Sequence, residues 1–116
     1  MARDTAFLAL GQTSKCNVTT STQTLTLTPD GICQQYLVSN HQPTGGTGQP
    51  VYFRFSSSSS VTVAVPTAGV PSYCFVSVPG TLKVFTGPPS SPSQPLYVAF
   101  IGEAISECYI TPGEGI

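Results

Sequence analysis

Between Val51 and Val65 the chain reads VYFRFSSSSSVTVAV. Val51, Phe53 and Phe55 alternate with Tyr52 and Arg54, and Val61, Val63 and Val65 alternate with Thr62 and Ala64. Side chains of a strand point to opposite faces with period two, so each run presents one apolar face. Folding the chain at the five serines sets Phe55 opposite Val61, Phe53 opposite Val63 and Val51 opposite Val65, which predicts a β-hairpin. A slip by one residue would carry the valines to the face opposite the phenylalanines. A lone hairpin is marginal in water, so the chain must supply further strands to cover it.

They are present. Thr22 to Thr28 alternates Leu25 and Leu27 with threonine and predicts a half-buried strand. Thr28-Pro29-Asp30-Gly31 has turn chemistry, and a second strand follows over Ile32 to Ser39. A short closure there puts Cys33, Gln35 and Leu37 with the leucines and leaves Ile32, Tyr36 and Val38 on the other face. Either both faces are covered or the two strands belong to different sheets. Asn40 to Pro50 reads as a loop. Tyr73 to Val78 and Thr81 to Thr86 flank Pro79-Gly80, which fits a corner between sheets better than a tight hairpin. Gly87 to Pro95 reads as a surface excursion. Leu96 to Ile101 is apolar on both faces, hence a central strand. Glu107 to Thr111 is a last strand, and pairing it with the strand before sets Phe100 against Cys108 and Val98 against Ile110. Residues 112–116 form a tail.

The expectation is an all-β fold, an antiparallel β-sandwich or jelly roll of about eight short strands. Residues 16–116 form the single sandwich domain. Residues 1–15 are an N-terminal arm or edge strand, whose apolar cluster is Phe7, Leu8 and Leu10.

Only nine of 116 residues are charged, whereas Ser and Thr together number 29. The surface is therefore hydroxylic rather than ionic, which suits a subunit packed among neighbours better than a solitary soluble monomer. The four cations, Arg3, Lys15, Arg54 and Lys83, are scattered, so no basic patch for nucleic acid is expected. No apolar run is long enough for a membrane span. The N-terminus makes a poor signal peptide, so the chain is expected to fold in a cytosol.

Chemistry-bearing residues are few. Cys16, Cys33, Cys74 and Cys108 are spaced far too widely for a paired zinc site. Three disulfide connectivities are open, but cytosolic synthesis and positions inside strands favour free, buried thiols. His41 is the single histidine and has no evident orienting partner for nucleophilic catalysis. Glu103 and Glu107 read as solvated loop acids rather than a glycosidase pair. Arg54 sits within the hairpin, either on a solvated outer face or in a charge-assisted contact with a neighbour. No catalytic, cofactor or metal residue is expected, and the chain does not read as an enzyme.

Three stretches together resemble a known group: PVYFRF (Pro50 to Phe55), PGTLKVF (Pro79 to Phe85) followed by LYVAFI (Leu96 to Ile101), and the ending YITPGEGI (Tyr109 to Ile116). They are similar to small virion proteins of tailed bacteriophages, a group like capsid cement or decoration proteins. The resemblance implies a non-enzymatic virion subunit, made in the host cytoplasm, that binds the major capsid protein or other virion proteins and staples them. It implies a dimer or trimer and no nucleic-acid or membrane partner. Phe7, Leu8, Leu10, His41 and Arg54 are the candidate partner-interface residues. A phage tail or fibre component, and an extracellular carbohydrate-binding or adhesive module, are the alternatives.

Overall fold

The structure is a computed structural model that describes the backbone of residues 7–41 and 49–115. Nine strands run through it: β1 (Phe7–Ala9), β2 (Ser14–Val18), β3 (Gln23–Leu27), β4 (Cys33–His41), β5 (Val51–Ser56), β6 (Phe75–Ser77), β7 (Thr81–Ser90), β8 (Leu96–Gly102) and β9 (Ser106–Gly115). They form two sheets in which every pair is antiparallel. In one, β1 and β2 lie end to end along β9, and β4 and β7 follow. In the other the order is β3-β8-β5-β6. Successive strands from β2 to β9 thus change sheet at every step except β5 to β6. An eight-stranded double sheet with the orders β2-β9-β4-β7 and β3-β8-β5-β6 is a jelly roll.

That connectivity settles one local expectation and corrects others. Of the two arrangements left open for Leu25 and Leu27 and for Cys33 and Leu37, the structure has the one in different sheets, β3 in one and β4 in the other. Likewise β8 and β9 do not pair: Phe100 and Val98 meet Cys108 and Ile110 across the core, not along a ladder. The Pro79-Gly80 corner does carry the chain from one sheet to the other, and Gly80 turns it with φ +77°. Asn40 and His41 extend β4, and the rest of that expected loop, 42–48, lies outside the described residues. The excursion after Gly87 is shorter than expected, since β7 runs on to Ser90. It does so through an irregularity: Gln35 pairs with Thr86 but Cys33 with Ser90, so Gly87, Pro88 and Pro89 bulge opposite Gln34. Prolines, which donate nothing to a ladder, belong at such a place. Residues 112–115 of the expected tail are part of β9, where Glu114 Oε1 accepts the Gln34 N–H at 2.7 Å, and residue 116 lies outside the described residues.

The Val51–Val65 hairpin does not form. β5 pairs with β8 and β6, and residues 61–65 are not a strand. Val61 and Val63 are still buried, but on the outer face of the second sheet, against Ala99 and beside Tyr52, Tyr97 and Ile101. Thr22 Oγ1 donates to the Val63 carbonyl and holds the segment down. The physical reason lies in β8. It is apolar on both faces, so the outer face needs a cover as much as the inner one, and the valines provide it.

Between the sheets lies one continuous core. Cys16, Val18, Tyr36, Val38, Cys108 and Ile110 face Leu27, Val51, Phe53, Leu96, Val98 and Phe100. Phe53 is its hub, with the rings of Phe55, Phe75, Phe85 and Phe100 at centroid distances of 5.0 to 5.7 Å.

Candidate functional site

The two sheets close unequally at their sides. On the side of β2 and β3 the buried Cys16, Val18 and Leu27 sit next to the edge. On the opposite side β6 is only three residues long and its ladder with β5 stops at Phe53–Phe75. Arg54, Phe55 and Ser56 are therefore paired with β8 on one side but not with β6 on the other. A groove of about 440 Å³ opens there, lined by Phe53, Arg54, Phe55, Tyr73, Cys74, Phe75, Thr86, Gly87 and Pro88.

The walls follow from local sequence. Gly87 has no side chain where a Cβ would come within 3.1 Å of both the Phe55 and Tyr36 rings, so the β7 bulge can pass close over the aromatic cluster. The Tyr36 hydroxyl donates to the Pro88 carbonyl at 2.6 Å and lies 2.8 Å from Ser90 Oγ, fixing the bulge from below. Burial pushes the Tyr36 phenol up to about 12, against the influence of its Ser90 hydrogen bond, so it stays a neutral donor.

Several apolar side chains of the β6–β7 edge are exposed, one of them, Tyr73, in the groove wall. Tyr73 is 85% exposed, Leu82 65%, Val78 57% and Val76 47%, all on β6, β7 or their flanks. Arg54 and Lys83 border this edge. Their charged ends lie 5.6 Å from the centres of the Tyr73 and Phe85 rings, respectively. Neither joins an ion pair with a described residue, whereas Lys15 pairs with Glu107 at 3.8 Å. None of the groove's lining residues is a carboxylate. The edge is thus cationic and aromatic on a chain whose net charge is −1.

Of the candidate partner-interface residues, Arg54 alone lines this groove, together with Phe53, Phe55 and Cys74, which were singled out on other grounds. Phe7 and Leu8 pair with Gly115 and Glu114, which makes the arm's apolar cluster an edge strand on its own chain; residues 1–6 and the Phe7 side chain lie outside the described residues. Leu10 packs against the core. His41 is exposed at the far end of the same sheet, opposite Glu107. The structure does not bring these residues together. Glu107 is in β9 rather than a loop, and Cys74 lies just before β6 and is half-buried rather than inside a strand. Sequence reading passed over Tyr73, Phe75, Val76, Val78 and Leu82. Their signal was two apolar runs around a Pro-Gly corner, with no later segment left to cover them.

Among the described residues no group of three or more His, Cys, Asp or Glu could hold a metal ion, and no helix is long and apolar enough to cross a membrane. Neither protein-family models, nor curated proteins, nor solved structures give a match to this chain.

Proposed function

We propose that this chain is a structural subunit of a virus particle, a capsid decoration protein that grips a neighbouring protein through its β6–β7 edge. The observation that carries the reading is the uncovered aromatic groove and its apolar surround on a jelly roll with almost no surface charge. Its occupant is an extended segment of the neighbouring shell protein that carries apolar side chains and a carboxylate. The apolar side chains fill the groove between Phe55, Phe75 and Pro88. The carboxylate meets Arg54 or Lys83, which have no acidic partner among the described residues. Backbone pairing with the open side of Arg54 to Ser56 adds a strand where β6 ends. Weak single sites suffice on a symmetric shell, where many copies act together.

The resemblance of Pro50 to Phe55, Pro79 to Phe85 and Tyr109 to Ile116 to small phage virion proteins supports the choice of particle. Purified chain mixed with expanded heads of the phage that encodes it is expected to co-sediment with them and raise their melting temperature. Heads that neither bind the chain nor gain stability would refute the capsid reading.

One feature favours a second reading. Tyr73 stands 85% exposed beside the groove, as an aromatic that stacks on a sugar ring would. A glycan array separates the two, since a carbohydrate-binding module gives hits and a decoration protein gives none.

A further inference from the structure

Cys16 on β2 and Cys108 on β9 are direct partners in the antiparallel ladder. Both side chains point into the core, where Cys16 is 3% and Cys108 0% exposed. Directly opposed residues of such a ladder have Cα atoms about 4.5 or 5.5 Å apart, according to the kind of pair. Both values fall within the roughly 4.4–6.8 Å that a disulfide spans. Cys33 and Cys74 have no comparable relation: Cys33 pairs with Ser90, and Cys74 lies outside the ladders.

We propose that Cys16 and Cys108 are an oxidation site, at which a cross-strand disulfide staples the edge strand β2 to β9. Both thiols are reduced in the structure. The oxidant is a small disulfide such as glutathione disulfide. The Cys16 thiolate attacks one of its sulfurs and releases one glutathione thiolate. The Cys108 thiolate then attacks Cys16 Sγ in the mixed disulfide and releases the second. Two protein thiols lose two electrons and two protons, one S–S bond forms, and two reduced glutathiones leave.

The fold sets when this happens. Burial pushes the thiols up, to about 11 for Cys16 and about 12 for Cys108, the latter raised further by its neighbour. Little thiolate exists in the closed sheet, and attack needs β2 to lift. β2 has a ladder partner on one side alone, so it is the strand able to do so. A reducing cytosol leaves the pair open, and an oxidising medium outside the cell closes it. The bond then ties residue 16 to residue 108, across nearly the whole chain. The inference rests on the ladder and is independent of what the β6–β7 edge binds.

The test incubates the purified chain with excess glutathione disulfide, with and without mild denaturant, then unfolds it, alkylates free thiols and maps peptides by mass spectrometry. The expected result is loss of two of the four alkylatable thiols and a linked Cys16–Cys108 peptide. Closure should be faster in denaturant, and the melting temperature should rise by about 10 °C. Cys16→Ala should keep its remaining thiols free of an intramolecular bond. Four alkylatable thiols in the treated wild-type chain, or a bond mapped to any other pair, would overturn the proposal whether or not the variant folds.

Discussion

Asn40 shows how much one buried polar side chain holds. Its Nδ2 donates to the carbonyls of Gln49 and Ser77, both at 2.9 Å, and its main-chain carbonyl accepts the Gly80 N–H at 2.9 Å. One residue of β4 thereby ties both sheets and the corner between them. Asn40→Ala leaves the buried Ser77 carbonyl and the half-buried Gln49 carbonyl without that donor and is expected to destabilise the fold by about 2 kcal/mol, read from urea unfolding. Phe53, touching four other rings, is the packing counterpart. Phe53→Ala should cost about 3–5 kcal/mol in the same assay, and a loss below 1 kcal/mol would mean that the aromatic cluster is not the centre of the core. The sequence marked these two unequally. Phe53 stood out through its alternation with Tyr52 and Arg54, whereas Asn40 looked like the first loop residue, since nothing local shows that a polar side chain faces carbonyls distant in the chain.

At the scale of elements, the informative failure is the Val51–Val65 hairpin. Alternation identified Val61 and Val63 as buried, though Val65 is only half-buried, because periodicity reports which side chains leave water. It could not say which surface receives them. Val61 and Val63 cover Ala99 on the outer face of β8, a surface that exists only once β3, β8 and β5 are assembled. The same limit explains β8 and β9. Turn chemistry suggests neighbours side by side, whereas a jelly roll sends successive strands to opposite sheets. The Pro79-Gly80 corner was legible because its turn type disfavours a tight hairpin and its glycine permits φ +77°. Gly80→Ala strains that backbone and is expected to cost about 1 kcal/mol, measured as a lowered urea midpoint with unchanged slope. Val63→Asp places a carboxylate under the outer cover. It should raise deuterium exchange of the β8 amides first, if the segment protects that face as described.

For the whole molecule, the few groups with displaced protonation among the described residues are held neutral in the fold. Burial raises Cys16 to about 11, and Cys108 and Tyr36 to about 12, from 9.0, 9.0 and 10.0. The unfolded chain therefore loses these protons before the folded one. Stability is full below about pH 9 and falls as pH climbs toward 12. Melting temperatures taken across that range should decline, and Tyr36→Phe should flatten part of the decline. The groove was the least legible part of the molecule, because Phe55, Tyr73, Phe75 and Pro88 come together only when β5, β6 and the β7 bulge close the same side of the sandwich. The binding role of the β6–β7 edge is tested most directly by particle binding of a double variant, Val76→Glu with Leu82→Glu. Both side chains are largely exposed, so the fold should be kept. The control is Ile105→Glu, 71% exposed in the turn between β8 and β9. The account predicts that the double variant melts like the wild type but no longer co-sediments with expanded heads, while the control binds fully. A double variant that occupies the heads as well as the wild type would contradict it.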